Sequence, residues 1–253
     1  MYINTTGLVL RETAYKDSSK ILTVLTGDEG KLTVSARGAL RKNSKLMATT
    51  QLLAFSEMTI YCSRDRWTLT EARSVEQFIG LRDDIALLAL GAYFAELAET
   101  VADEDCPNPD LLALCLNGLF ALSEKIKTPE YVKPAFELRL MAISGFTPQI
   151  ESCRLCGRRD MERAHLDLVE GTIVCGGCKH SDPISNMSQD GIALNRGAIS
   201  AARYIINCDP KKLFSFSLGE AALRELAAAT EEFLIVQLDR RFRTLDYYKE
   251  IAK

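Results

Sequence analysis

The sequence predicts an α+β fold: a small N-terminal β-barrel over residues 1–80 and a helical domain over 81–253, with a cysteine module inserted at about 150–183. Three observations predict it. Apolar and β-branched residues cluster in runs of four to eight up to about residue 80, Leu- and Ala-rich helical periodicity follows, and two CxxC pairs interrupt that helical half. With 253 residues, 47% apolar and 26% charged, the composition is that of a globular chain and excludes disordered and fibrous classes. The longest uncharged apolar stretches, Ile85–Ala95 and Leu111–Ser123, fall short of the roughly 20 residues that cross a bilayer. Met1–Lys16 has no basic segment followed by an apolar core and a small-residue cleavage site, so the expected location is the cytoplasm. In that compartment the eight cysteines are expected as thiols, core residues or metal ligands before disulfides.

In the first 80 residues the expected strands are Leu8–Leu10, Ile21–Thr26, Lys31–Ala36, Ser56–Cys62 and Trp67–Ala72. Gly27-Asp28-Glu29-Gly30 joins the second to the third as a hairpin. Five short strands with a longer polar link after the third suit an OB-type barrel, with an SH3-like barrel as the alternative. Expected helices are Asp83–Val101, Asp110–Lys125, Pro129–Ser144, Leu194–Asn207 and Leu218–Asp239. Thr128 before Pro129 reads as an N-cap with proline at the first helical position, and Gly145 sits where a glycine ends a helix. Pro134 implies a kink or a later start. Ser217 with Glu220 three residues on is a capping-box pattern.

Cys153-Arg154-Leu155-Cys156 and Cys175-Gly176-Gly177-Cys178 are separated by eighteen residues, the arrangement of a four-thiolate zinc site. Each CxxC turn brings two sulfurs to one edge of a tetrahedron, and Gly157, Gly176 and Gly177 are expected to ease the turns. The segment Leu166–Val174 reads as a hairpin returning one pair to the other. Redox-active or buried thiols are the alternative. Four thiolates leave a tetrahedral ion no open position for water, so the zinc, one per chain, is expected to be structural. His165 and His180, the only histidines, flank the cluster as loop or outer-shell residues, and Cys115 between two leucines reads as core.

No phosphate-binding GxxxxGK[ST] loop, dinucleotide GxGxxG, GxSxG elbow or HExxH is present, and the expectation is no catalysis. Charge is informative through its distribution. Residues 1–80 hold eleven Lys/Arg against eight Asp/Glu, whereas 81–253 hold twenty against twenty-six. Between Gly30 and Ser56 there is no acidic residue, yet Lys31, Arg37, Arg41, Lys42 and Lys45 fall there. On an OB barrel that stripe lies on the third strand and the link after it, where such folds track a nucleic-acid backbone. Arg11, Arg64 and Arg66 extend the stripe. Tyr61 and Trp67 read either as stacking platforms or, for Trp67, as barrel core.

Gly7–Arg11, the Asp17–Thr26 run DSSKILTVLT, Gly30-Lys31, Ala36-Arg37-Gly38-Ala39, Phe136–Leu140, Gly145-Phe146-Thr147-Pro148 and the two CxxC pairs, in this order, together resemble the RecO family of bacterial recombination mediators. The resemblance covers nearly the whole chain. It implies an N-terminal OB domain, a helical domain with a four-cysteine zinc module, and binding of single- and double-stranded DNA. It further implies annealing of complementary strands and, with RecR, help in loading RecA onto DNA covered by single-strand-binding protein. By the same resemblance Lys31 and Arg37 fall on the DNA-facing strand, Arg41, Lys42 and Lys45 in a basic loop, and Cys153, Cys156, Cys175 and Cys178 at the zinc positions. The acidic tail of single-strand-binding protein is expected on the helix matching Phe136–Gly145, with Lys133, Phe136 and Leu138 as contacts and Pro134 standing where a basic residue is expected. A nucleoid-associated location follows.

Overall fold

The computed structural model describes residues 1–64, 66–181 and 191–252. Those residues form two compact units, Met1–Ile126 with Phe242–Lys253, and Lys127–Arg241. The barrel therefore packs with the first two helices and the last one, a grouping made by contacts instead of by periodicity.

In the first unit β1 (Tyr2–Tyr15), β2 (Ser19–Thr26), β3 (Lys31–Ala36), β4 (Phe55–Ser63) and β5 (Arg66–Glu76) close into a barrel of neighbour order β1-β2-β3-β5-β4. The one parallel pairing among these strands joins β3 to β5, Val34 opposite Trp67. That order is the OB arrangement. The first half of β1 pairs with β4, its second half with β2, and the register shifts between Val9 and Arg11. Such a bulge bends the strand and inverts its alternation, which explains why Leu8, Val9 and Leu10 are all buried. Val9, Leu22, Val24, Leu32, Val34, Met58, Ile60 and Leu69 fill the interior.

After the barrel, α1 (Ile85–Val101) starts at Asp84, whose carboxylate accepts the N–H groups of Ala86 and Leu87. Asn108 caps α2 (Pro109–Ser123) in the same way. The C-terminal helix α7 (Arg243–Ile251) lies on α1: Phe242 meets Tyr93 edge-on at 5.9 Å, and Thr244 donates to the Glu96 carboxylate.

The second unit is built on α3 (Pro129–Ile143), α5 (Arg196–Asn207) and α6 (Glu220–Leu238), against a small sheet of order β7-β6-β8. Its strands are β6 (Arg163–Asp167), β7 (Thr172–Cys175) and β8 (Ile192–Asn195), and α4 (Gly176–Ser181) follows β7. Two expectations are corrected, the Ser217/Glu220 box and the start of the Leu194–Asn207 helix. Pro134 does not delay α3, which runs through it: the missing N–H forfeits one bond to Glu130, and burial of Val132, Ala135 and Phe136 outweighs it. The Ser217/Glu220 box does not form, because Gly219 is the N-cap and the Leu218 backbone is held by the Tyr131 hydroxyl, 2.8 Å from the Leu218 carbonyl. Residues Ile192–Asn195 form an edge strand, so the helix expected from Leu194 starts at Arg196 instead. Thr128 is the N-cap of α3 with Pro129 at its first position, as expected, and its side chain makes no capping bond.

Candidate nucleic-acid interface and metal centre

The face of β2 and β3 forms an open groove of about 820 Å³, with the β1–β2 turn toward the Arg37 end of β3 and the start of β5 beside the Lys31–Val34 half of that strand. Alternation along β3 builds it: Leu32, Val34 and Ala36 point into the barrel, so Lys31, Thr33 and Ser35 point out. Lys31, Arg37 and Arg66, three of the expected DNA contacts, line the groove. Lys16, from the β1–β2 turn, is a fourth cation that sequence reasoning missed, although its Tyr-Lys-Asp-Ser-Ser turn was legible. Arg37 and Arg66 are exposed. The Lys31 ammonium donates to the Glu99 carbonyl at 3.0 Å and keeps two further N–H donors. Trp67 packs against the barrel core, as one of its two readings expects, and also lines the groove, with Tyr15 beside the turn. These strands and loops are the surface on which OB folds hold oligonucleotides.

Other predicted residues lie elsewhere. Arg11 projects toward α1 and pairs with Glu99 at 2.9 Å, outside the groove lining. Tyr61 packs against Tyr2, with ring centroids 4.8 Å apart and the rings tilted by 44°. Arg41 closes a turn on Gly38, and the Leu40 N–H donates to the Ser18 carbonyl, which sets this turn beside the groove's β1–β2 end. Lys42 and Lys45 are exposed farther along the link and do not line the groove. The link is braced by a lysine that reads as surface in the sequence: Lys20 is buried, pairs with Glu12 and donates to the Thr50 carbonyl at 3.2 Å.

In the second unit the β6–β7 hairpin returns Cys175 and Cys178 to Cys153 and Cys156. The four sulfurs lie within 4.8 Å of one another, and Cys156 Sγ is 3.8 Å from Cys175 Sγ. A tetrahedral ion with metal–sulfur bonds of about 2.3 Å sets its sulfurs about 3.8 Å apart, so the cluster fits such an ion. Gly157 turns the first pair at φ 72°. Gly176 and Gly177 do not serve as turn residues; they begin α4 without positive φ. Burial alone raises the Cys153 thiol, yet the Cys175 N–H at 3.3 Å, with further backbone N–H groups, brings it down to about 6. Cys178 is pushed up to about 12, chiefly through its hydrogen bonds with the other thiols. His165 Nδ1 is 3.0 Å from Lys179 Nζ. The His180 side chain and residues 182 and 183 of the expected module lie outside the described residues. Cys115 is core, and burial pushes its thiol up to about 12.

The expected peptide contacts on α3 are buried. Phe136 is fully buried, Leu138 faces the interior, and Lys133 is 8% exposed. The Lys133 ammonium sits 2.8 Å from both Glu137 and Glu231, and Thr230 donates to Glu137 at 2.8 Å. Burial lowers the Lys133 pKa, but the two carboxylates outweigh it and the net shift is upward. Of the three, Leu138 lines a small apolar pocket with Pro148, Leu226 and Phe233, whereas Phe136 is enclosed and Lys133 is held by its two carboxylates.

Compared with known families, residues 1–78 match the recombination protein O N-terminal model and residues 82–246 the C-terminal model. The chain belongs to the recombination protein O, or RecO, family. The DNA repair protein RecO of Acetivibrio thermocellus is 29% identical over 252 residues, covering 100% of this chain and 98% of that one. That of Caldicellulosiruptor bescii is 32% identical over 249 residues, 98% of each. That of Listeria monocytogenes is 32% identical over 178 residues, 70% of this chain and 68% of its own. The OB barrel and the cysteine cluster thus belong to a RecO chain matched from end to end. Among the described residues no helix is long and apolar enough to cross a membrane.

Proposed function

We propose that this RecO chain is a DNA repair and recombination mediator that acts by holding DNA instead of making or breaking bonds. Its barrel groove grips a single strand by the phosphates through Lys16, Lys31, Arg37 and Arg66, with Arg41 at the mouth, while Trp67 and Tyr15 meet the bases. Lys42 and Lys45 on the exposed link add longer-range attraction for single- and double-stranded DNA, and Arg11, already paired, contributes least. Two strands repel one another through their phosphates, and a cationic surface that screens them promotes annealing without an active site. With RecR the protein helps load RecA onto DNA covered by single-strand-binding protein, whose acidic tail docks on the helical unit at residues other than Lys133 and Phe136. A zinc ion held by Cys153, Cys156, Cys175 and Cys178 stiffens that unit structurally. The boundaries we assign are an OB domain at 1–80 and a helical domain at 81–253, in a cytoplasmic protein that associates with the nucleoid.

The observation that carries this reading is the groove: four cations and two aromatic rings line the one face of an OB barrel suited to an oligonucleotide. The test is strand annealing followed by fluorescence quenching between complementary labelled oligonucleotides. The parent is expected to accelerate annealing, and Arg37→Glu/Arg66→Glu to lose most of that acceleration while folding normally. A barrel that instead docks a protein would leave annealing at the spontaneous rate for both.

A further inference from the structure

One end of the groove repels what the rest of it attracts. Where β3 begins, the loop between α1 and α2 lays Glu104 beside Gly30 and Lys31 in short backbone bridges, and the Lys31 N–H donates to the Asp103 carbonyl at 3.2 Å. Glu104 and Asp105 line the groove there. This docking depends on a missing side chain: a Cβ on Gly30, at φ 71°, would fall 2.4 Å from the Cys106 carbonyl oxygen. The loop also holds Asp105 at φ 56°, a left-handed conformation that Asp and Asn adopt more readily than other non-glycine residues. Asp103, Glu104 and Asp105 are exposed, and among the described residues no ion pair joins any of them to a cation. The ammonium of Lys31, whose backbone bridges to Glu104, donates to the Glu99 carbonyl. A run of three carboxylates in free solvent would move away from an incoming phosphate. Pinned by its backbone to β3, this one cannot.

We propose that the Asp103–Asp105 loop is an anionic stop: it ends the path of a single strand through the groove at Lys31 and turns the remainder out to solvent. This rests on the groove being the DNA site. A strand entering past the β1–β2 turn is held by Lys16, Arg37 and Arg66 in turn and then meets fixed negative charge, so its emerging part stays free to pair with a complement. The stop sets footprint and release at the expense of affinity.

The test uses the full chain, labelled oligothymidylates and fluorescence anisotropy. Glu104→Gln/Asp105→Asn removes both groove-lining charges, keeps the backbone contacts, and retains at 105 a residue that tolerates positive φ. Binding of a short strand in dilute buffer is expected to tighten about fivefold, the scale of two surface charge interactions, and the gain is expected to fade with added salt. If the double variant does not fold, Glu104→Gln alone carries the test with about a twofold gain expected. Equal or weaker binding by a folded variant overturns the stop. Arg37→Glu/Arg66→Glu is measured in parallel to separate the two levels. If it weakens binding while the acid-to-amide variant fails to tighten it, the stop alone is wrong; if it changes nothing, the groove assignment and the stop fall together.

Discussion

Lys133 shows how far a single residue can be read from sequence. Its i,i+4 spacing to Glu137 was legible as a helix-surface pair, but Glu231 lies 98 positions away on α6, and only packing of α3 on α6 buries all three. Phe136 and Leu138 carry the same ambiguity, since an apolar side chain has one identity whether it anchors a peptide or fills a core. Removing one partner of a buried ion group leaves the others uncompensated. Lys133→Ala is therefore expected to cost about 3 to 5 kcal/mol in urea unfolding, whereas exchanging an exposed cation such as Lys42 should stay within about 0.5 kcal/mol. The pH dependence has a definite sign. The folded Lys133 pKa is raised above its ordinary 10.5, so its stabilisation is complete below that value and is lost only as pH rises through the folded one. Parent and Lys133→Ala stabilities should differ equally at pH 6 and pH 8 and converge in strong alkali.

At the scale of elements, the barrel strands and the long helices were legible because their periodicity spans many residues and their turns carry Gly, Pro or Asn. The bulge in β1 was not, because inversion of alternation within Gly7–Leu10 looks like an unbroken apolar run. Residues Ile192–Asn195 and Arg243–Ile251 were missed for a related reason: four and nine residues give too little pattern, and each forms because β6 or α1 offers an edge or a face. The cysteine module was the most legible element, since thiolate spacing is covalent information. Gly157 holds φ 72° with open space around its Cα, so Gly157→Ala is expected to strain the backbone at a cost of about 1 kcal/mol and to weaken metal retention against a chelator. Cys175→Ser removes one of four ligands, and elemental analysis should find zinc fall from one per chain to well under one. A parent protein purified without metal and equally stable with and without chelator would contradict the zinc assignment.

For the whole molecule, a net charge of −3 conceals a cationic groove on an acidic chain. The stripe Lys31–Lys45 marks this side of the barrel, yet only Lys31 and Arg37 of its five cations line the groove, and the other two groove cations, Lys16 and Arg66, come from the β1–β2 turn and the start of β5, which closure of the barrel brings alongside. That assembly is what no local pattern contains, and it is the central claim. Salt dependence of binding tests it most directly. If the four groove cations each engage one phosphate, log affinity for a single strand should fall against log salt with a slope of about −0.7 times four, or about −3. Arg37→Glu/Arg66→Glu should flatten that slope by more than about one unit and weaken binding alike for all base sequences, because phosphates carry no base identity. A folded double variant that keeps the parent's affinity and slope would place the DNA site elsewhere on the molecule.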